Sequence, residues 1–138
     1  MLVYKRQIPT TNEYNYLNEK VGWGSRNVDI VERALRNTLF GVTVFDDDKV
    51  IAMARIIGDE SIFLYIQDVI VIPEYQGNGI GKEIMNILLE KINECKEINP
   101  NIRVYLGAST GKEDFYKKFG FITRKDANLG EGMILKID

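Results

Sequence analysis

The chain is predicted to adopt an α+β fold: a mixed, mainly antiparallel sheet of six or seven strands carrying about four helices. Three observations predict it. At 138 residues and 45% hydrophobic content, the chain suits one compact domain, taken as 1–138, with a core of useful size. Short β-branched or alternating apolar runs recur between turns rich in Gly, Asp and Asn. One strand–turn–helix–strand unit between Val69 and Leu106 requires a parallel pair, because a helical crossover returns the chain in the same direction.

Element by element, Leu2 to Arg6 reads as an edge strand. Thr10 or Thr11 offers an N-cap to a helix carrying Tyr14 and Leu17, which Gly22-Trp23-Gly24-Ser25 ends. Asn27 can cap a second helix, in which Ile30, Val31, Ala34 and Leu35 follow the helical period. Leu39 to Phe45 and Val50 to Ile57 form a hairpin across Asp46-Asp47-Asp48-Lys49. Those aspartates lack a closing Glu at loop spacing, so they read as a polar turn and no metal is expected. Ile62 to Ile72 is apolar on both alternating sets, the pattern of a central strand covered on both faces. A helix from about Gly81 to Lys96 carries Ile84, Met85, Leu88, Leu89 and Ile92 as one stripe, and Pro100 bars its continuation. Ile102 to Leu106 is the strand it returns to. A short helix from about Lys112 ends at Gly120, and Phe121–Thr123 with Gly132–Ile137 is expected to close the fold as a hairpin.

Composition removes several classes of function. The chain has no histidine and a single cysteine, which excludes internal disulfides, the usual zinc sites and every Ser-His or Cys-His nucleophile. Cys95 could attack a substrate only with an activating neighbour. A net charge of −2 argues against a nucleic-acid partner, which would need a concentrated basic face. With no apolar run near membrane-spanning length and no signal-peptide arrangement, a cytoplasmic location away from membranes is expected.

The most informative stretch is Val69-Ile70-Val71-Ile72-Pro73-Glu74-Tyr75-Gln76-Gly77-Asn78-Gly79-Ile80-Gly81-Lys82. A strand there meets a turn with glycines at alternate positions, and an amphipathic helix starts at once. Glycines remove Cβ atoms from the concave side, so backbone N–H groups can converge on an anion at the positive end of the helix. A Walker A loop would need glycine at Gln76 and a hydroxyl residue at Glu83. The dinucleotide fingerprint would need G-x-G-x-x-G near a first strand, whereas Gly77, Gly79 and Gly81 give G-x-G-x-G past mid-chain. What fits is Q/R-x-x-G-x-G/A, read from Gln76 to Gly81.

With that loop and the downstream block Phe115-Tyr116-Lys117-Lys118-Phe119-Gly120-Phe121, the chain resembles the GNAT superfamily of acetyl-CoA-dependent N-acetyltransferases. Arg55-Ile56-Ile57-Gly58-Asp59, Ile66-Gln67-Asp68-Val69 and Glu131-Gly132-Met133 carry a narrower likeness to the arylalkylamine (serotonin-type) members. The resemblance implies acetyl-CoA as cosubstrate, its diphosphate held by Gln76, Gly77, Asn78, Gly79, Ile80, Gly81 and Lys82. It also implies a splayed parallel strand pair in which pantetheine lies beside Val69, Ile70 and Val71, with a backbone N–H there serving the oxyanion. Lys82 could equally be a solvated helix-start lysine.

The expected reaction is direct attack by a primary amine of a small molecule in a ternary complex. Protein or peptide acetylation, or a silent acyl-CoA-binding role, are the alternatives. An alkylamine of pKa about 10.4 is mostly protonated at pH 7, a deficit of about 4.6 kcal/mol, so a base is needed. Asp68, in an apolar row beside the loop, is the candidate base, though a bulge could turn it and leave it holding backbone. Tyr116 occupies the place of the family's tyrosine donor to the leaving thiolate, unless it is simply packed. Trp23, Tyr14, Tyr65 and Arg55 are candidates to line the acceptor side, with Trp23 alternatively a core residue. Either a monomer or a homodimer is compatible with these readings.

Overall fold

Local capping sets the first helical boundaries. Thr10 Oγ1 accepts from the Glu13 N–H at 3.2 Å while the Glu13 carboxylate accepts from the Thr10 N–H at 2.8 Å. This reciprocal capping box starts α1 (Thr11–Lys20). Asn27 Oδ1 accepts from the Asp29 N–H at 2.9 Å and opens α2 (Val28–Arg36). In this computed structural model, which describes residues 1–137, the chain forms two compact units, Met1–Gly107 and the part from Ala108 onward.

The first unit is built on a sheet of β1 (Leu2–Lys5), β2 (Phe40–Asp46), β3 (Lys49–Gly58), β4 (Phe63–Val71) and β5 (Arg103–Leu106), paired in that order. The first three pairings are antiparallel and β4–β5 is parallel. After β4 come a 3-10 turn (Pro73–Tyr75) and α3 (Ile80–Cys95), the crossover that a parallel pair requires. Asp59 Oδ1 accepts from the amides of Ser61, Ile62 and Phe63, which tightens the turn before β4 and holds the Asp59 carboxyl below its usual range.

Five strands form among the described residues, rather than six or seven. The expected terminal hairpin is the difference. In the second unit, α4 (Glu113–Lys117) is followed by consecutive turns over 124–128, held by local bonds such as Leu129 N–H to Arg124 O at 2.8 Å. Those backbone groups are spent locally, and residues 131–137 are all exposed, with no strand among the described residues after Leu106. An isolated two-stranded ribbon is marginal in water in any case.

Centrality also moves by one strand. Residues 51–56 of β3 are all buried, whereas β4 buries Leu64, Ile66 and Ile70 and exposes Phe63 and Gln67. β3 is the middle strand of the order, and its unbroken buried run shows that both of its faces are covered. On α2 the buried stripe is Val31 and Leu35, while Ile30 lies off it and is 61% exposed. On α3, Ile84, Met85, Leu88 and Ile92 of the predicted stripe are buried, Leu89 is only half-buried, and Ile87, outside that stripe, is buried as well.

Truncating Leu88, wholly buried on α3, to alanine should cost about 2–5 kcal/mol of unfolding free energy. Ile30→Ala should stay within about 0.5 kcal/mol. Urea titrations of the two variants check the contrast.

Candidate functional site

Backbone pairing defines an open flank on β4. Its ladder with β5 runs from Phe63 opposite Arg103 to Ile66 opposite Leu106 and then stops. Beyond Ile66 the strand continues to Val71 against β3, with no strand partner on the other side among the described residues. Amide directions alternate along a strand. The Ile72 N–H donates to Ile51 O on β3 at 3.0 Å. The Ile70 amide therefore faces β3, and those of Val69 and Val71 face the open flank. Gln76 Nε2 donates to Val71 O at 2.8 Å, tying the next turn to that flank.

The turn itself is shaped by two glycines. Gly77 and Gly79 have φ of 81° and 78°, where an L side chain costs about 1–2 kcal/mol. A Cβ built on either meets nothing within 4 Å, so the space beside them is open. Asn78 Nδ2 donates to the carbonyls of Tyr75 and Gln76 at 3.1 and 3.3 Å, bracing the bend from within. Gly79 is the N-cap of α3 and provides no capping side chain. The helical ladder opens with the Glu83 N–H on Gly79 O at 3.1 Å, leaving the amides of Ile80, Gly81 and Lys82 to outside acceptors. Ile80 anchors the bend by burying its side chain, and Lys82 is exposed. Gly81 has no positive φ and is an ordinary helical residue, so only two of the three glycines serve the bend's conformation.

A second cluster lies on the same strand. Between the pairs Met53–Ile70 and Arg55–Gln67, the single residue Ala54 on β3 faces Asp68 and Val69 on β4. This is a β-bulge, and Asp68 sits in it with φ of 56°. Its Oδ2 accepts from Arg55 Nε at 2.9 Å, Arg55 Nη2 at 2.8 Å and the Tyr14 hydroxyl at 3.0 Å. Arg55 Nη1 donates to Thr38 Oγ1 at 2.8 Å and to Ala34 O at 3.4 Å, at the end of α2. The side chains of Arg55 and Asp68 are 9% and 6% exposed. Burial first, then the Asp68 charge, raises the Tyr14 phenol above its ordinary pKa, with Arg55 and Arg26 acting the other way.

Three residues named from the sequence, Tyr14, Arg55 and Asp68, thus meet in one buried cluster. Asp68 is not a solitary carboxyl among apolar side chains, because the bulge takes it out of the row and a guanidinium covers it. Trp23 is 49% exposed between Gly22 and Gly24, both with positive φ, and is not a core residue. Tyr65 is half-buried, its hydroxyl 2.9 Å from where a Cβ on Gly107 would lie. In the second unit, Tyr116 lies on α4 edge-on to Phe115 and Phe121, and burial raises its phenol pKa. Thr38 was not anticipated, since a threonine after a helix carries no signal of an arginine partner. Among the described residues there is no group of three potential metal ligands, and no helix is long and apolar enough to cross a membrane.

A glycine bend thus opens the crossover helix beside a parallel strand whose second edge is half unpaired. Residues 22–135 match the model of the acetyltransferase (GNAT) domain, and the chain belongs to that family. It is 38% identical over 120 residues to an uncharacterised ycf52-like N-acetyltransferase of Prochlorococcus marinus, covering 84% of this chain and 64% of that one. The chain therefore spans less than two thirds of that relative's length. A crystallised protein of unknown function from meticillin-resistant Staphylococcus aureus superposes with a TM-score of 0.87 at 32% identity, covering 99% of this chain and 100% of its own. The fold is also shared, at 12% identity and a TM-score of 0.61, with AAC(6')-Iy in complex with a CoA-linked acetylneamine analogue; coverage is 100% of this chain and 97% of that one.

Gly77→Ala and Gly79→Ala should each lose about 1–2 kcal/mol of stability from backbone strain alone, and asparagine at either place should lose less. Equilibrium denaturation tests this. Cys95 is buried, and burial raises its thiol pKa. The stability it contributes is present below the ordinary thiol pKa of about 8.5 and declines as pH rises above it, because the unfolded chain then ionises first. Cys95→Ala should remove part of that alkaline decline in a pH series of melts, and native Cys95 should resist an aromatic disulfide reagent.

Proposed function

We propose that the chain transfers the acetyl group of acetyl-CoA to a primary amine of a small molecule, arylalkylamines included, with both substrates bound together. The observation that carries this reading is the bend at 77–82: two left-handed glycines, open space where their Cβ atoms would be, and a side-chain-free helix start. Such a cradle fits a diphosphate. Gly77, Asn78, Gly79, Ile80, Gly81 and Lys82 would hold it, with Gln76 bracing the strand end, and pantetheine would pair with the open flank at Val69 and Val71. The family match spans 22–135, which supports reading both units as one catalytic domain.

Acetyl-CoA supplies an acyl group activated as a thioester: the amine nitrogen bonds to its carbonyl carbon, the C–S bond breaks, and the proton shed by the nitrogen passes to water. The Val69 and Val71 amides, fixed toward the open flank, stabilise negative charge that develops during transfer, which preorganised donors do well in a dry site. Tyr116 is assigned as hydrogen-bond donor to the departing sulfur, on its Tyr-x-x-x-Gly-Phe frame and a phenol that burial keeps protonated. Full proton transfer from a phenol of pKa about 10 to a thiolate near 8.5 is uphill by about 2 kcal/mol, so donation without transfer is the role. Trp23 and Tyr65 would offer aromatic surface to the acceptor. The acidic balance and absence of a basic stripe suit a small amine in the cytoplasm better than a nucleic acid.

Calorimetry with coenzyme A and a thiol-release assay over tryptamine, spermidine and kanamycin test the reading. Binding of coenzyme A and release with at least one amine are expected. Tyr116→Phe should lower kcat by about 10²-fold with coenzyme A affinity unchanged. Absence of heat with coenzyme A ends the proposal; heat without release on any amine makes the chain a binding protein or a peptide acetyltransferase.

A further inference from the structure

We infer that Asp68 is a positioning residue, clamped by Arg55 and Tyr14 so that the bulge it occupies turns the Val69 and Val71 amides toward the reacting acyl group. The inference rests on the function proposed above and deepens it. A bulge inserts one residue, and strand directions repeat every two, so the extra residue decides which amides downstream face which side. With Asp68 and Val69 both opposite Ala54, the Ile70 amide meets β3 and those of Val69 and Val71 meet the open flank. Without the extra residue the assignment inverts, and only the Ile70 amide would face the flank.

The conformation that makes the bulge is one an L-residue seldom adopts. Asp and Asn tolerate φ near 56° better than other non-glycine residues, and here the side chain adds a restraint. Three donors from two directions converge on Oδ2: two guanidinium nitrogens from β3 and the phenol of α1. Arg55 is itself held at the end of α2 by Thr38 and the Ala34 carbonyl. Asp68 Oδ1 is left with Gln67 Nε2 at the long distance of 3.5 Å. An oxygen filled by three donors serves as a fixed anchor. The glycine bend is braced separately, by Gln76 and Asn78, so the clamp governs the direction of the amides while the diphosphate cradle keeps its own shape.

The test compares Asp68→Asn, which keeps left-handed tolerance and an acceptor, with Asp68→Ala, which keeps neither. The readouts are calorimetry with coenzyme A, kcat against pH with the amine that the thiol-release panel identifies, and crystal structures of both variants. D68N should bind coenzyme A within about threefold of the parent; D68A keeps the glycine cradle and should still bind, weakened about tenfold because the turned amides no longer pair with pantetheine. D68N should keep kcat within about tenfold with an unshifted pH profile, and D68A should lose about 10²-fold, the scale of an ångström's misplacement. Position 68 should stay left-handed in D68N and relax to extended backbone in D68A. Where D68A does not fold, R55K replaces it, since lysine keeps the charge and loses the fork; kcat should fall with the pH profile in place. The inference is overturned when D68N is as slow as D68A with its pH dependence flattened, which marks a base. It is overturned equally when D68A or R55K keeps the bulge and the parental kcat. Failure to bind coenzyme A strikes the proposed function instead, and the crystal structures still decide whether the clamp sets the bulge.

Discussion

Backbone direction along β4 is the constraint from which the site follows. On one edge the strand pairs with β3 from Leu64 to Val71, broken only by the bulge at Asp68; on the other its partner leaves after Ile66. A strand with one unpaired flank exposes amides and carbonyls that must find partners, and an exposed edge of that kind invites an extended ligand. Here the flank is short, ends in a turn braced by Gln76, and leads within a few residues into the positive end of α3. An extended ligand with an anionic end would meet strand-like donors first and helix-start donors next. Chain order alone places the two kinds of recognition next to each other.

The buried pair Arg55–Asp68 is costly to assemble, since two charges leave water and only good geometry compensates them. Its geometry is good: two guanidinium contacts at 2.8 and 2.9 Å, a phenol at 3.0 Å, and the remaining guanidinium nitrogen satisfied by Thr38 and Ala34 O. Removing one partner of such a pair is destabilising by roughly 3–5 kcal/mol, because the survivor is left buried and unpaired. The pair joins β3, β4 and the end of α2, and Tyr14 adds α1. That is more than a surface ion pair contributes: the exposed pair Arg36–Glu32 at 2.7 Å stays within a single helix, where such pairs are worth a few tenths of a kcal/mol.

Much of this was legible in the chain itself. Caps at Thr10 and Asn27, the period of α3 and the crossover to β5 are local patterns, and local patterns survive folding. The glycine bend was legible because only glycine gives that backbone without strain. Three things were not. Ile30 looked apolar and periodic, but a nine-residue helix has room for one narrow buried stripe and Val31 and Leu35 take it. The last hairpin failed as an expectation: Met133, Ile134, Leu135 and Ile137 carry a strand-like apolar pattern yet are exposed and form no ladder. For Asp68 the bulge was among the readings the chain left open, but its partner was not legible, because an alternation pattern cannot show that Arg55 stands across from it.

Two left-handed devices therefore act on one strand–turn–helix unit, and they are stabilised differently. Gly77 and Gly79 adopt positive φ at no steric cost, and no side chain within 4 Å of their absent Cβ atoms enforces it. The bend's shape is then a property of its own residues. Asp68 reaches a comparable φ against its preference, and the compensation comes from Arg55, Tyr14 and, through Arg55, from Thr38. Its shape belongs to four elements at once. A change on α1 or at the end of α2 can thus reach the amides of β4 without touching the bend, because the clamp is the only one of the two devices with parts outside its own loop. The shape of the bend and the direction of the β4 amides therefore depend on different parts of the fold.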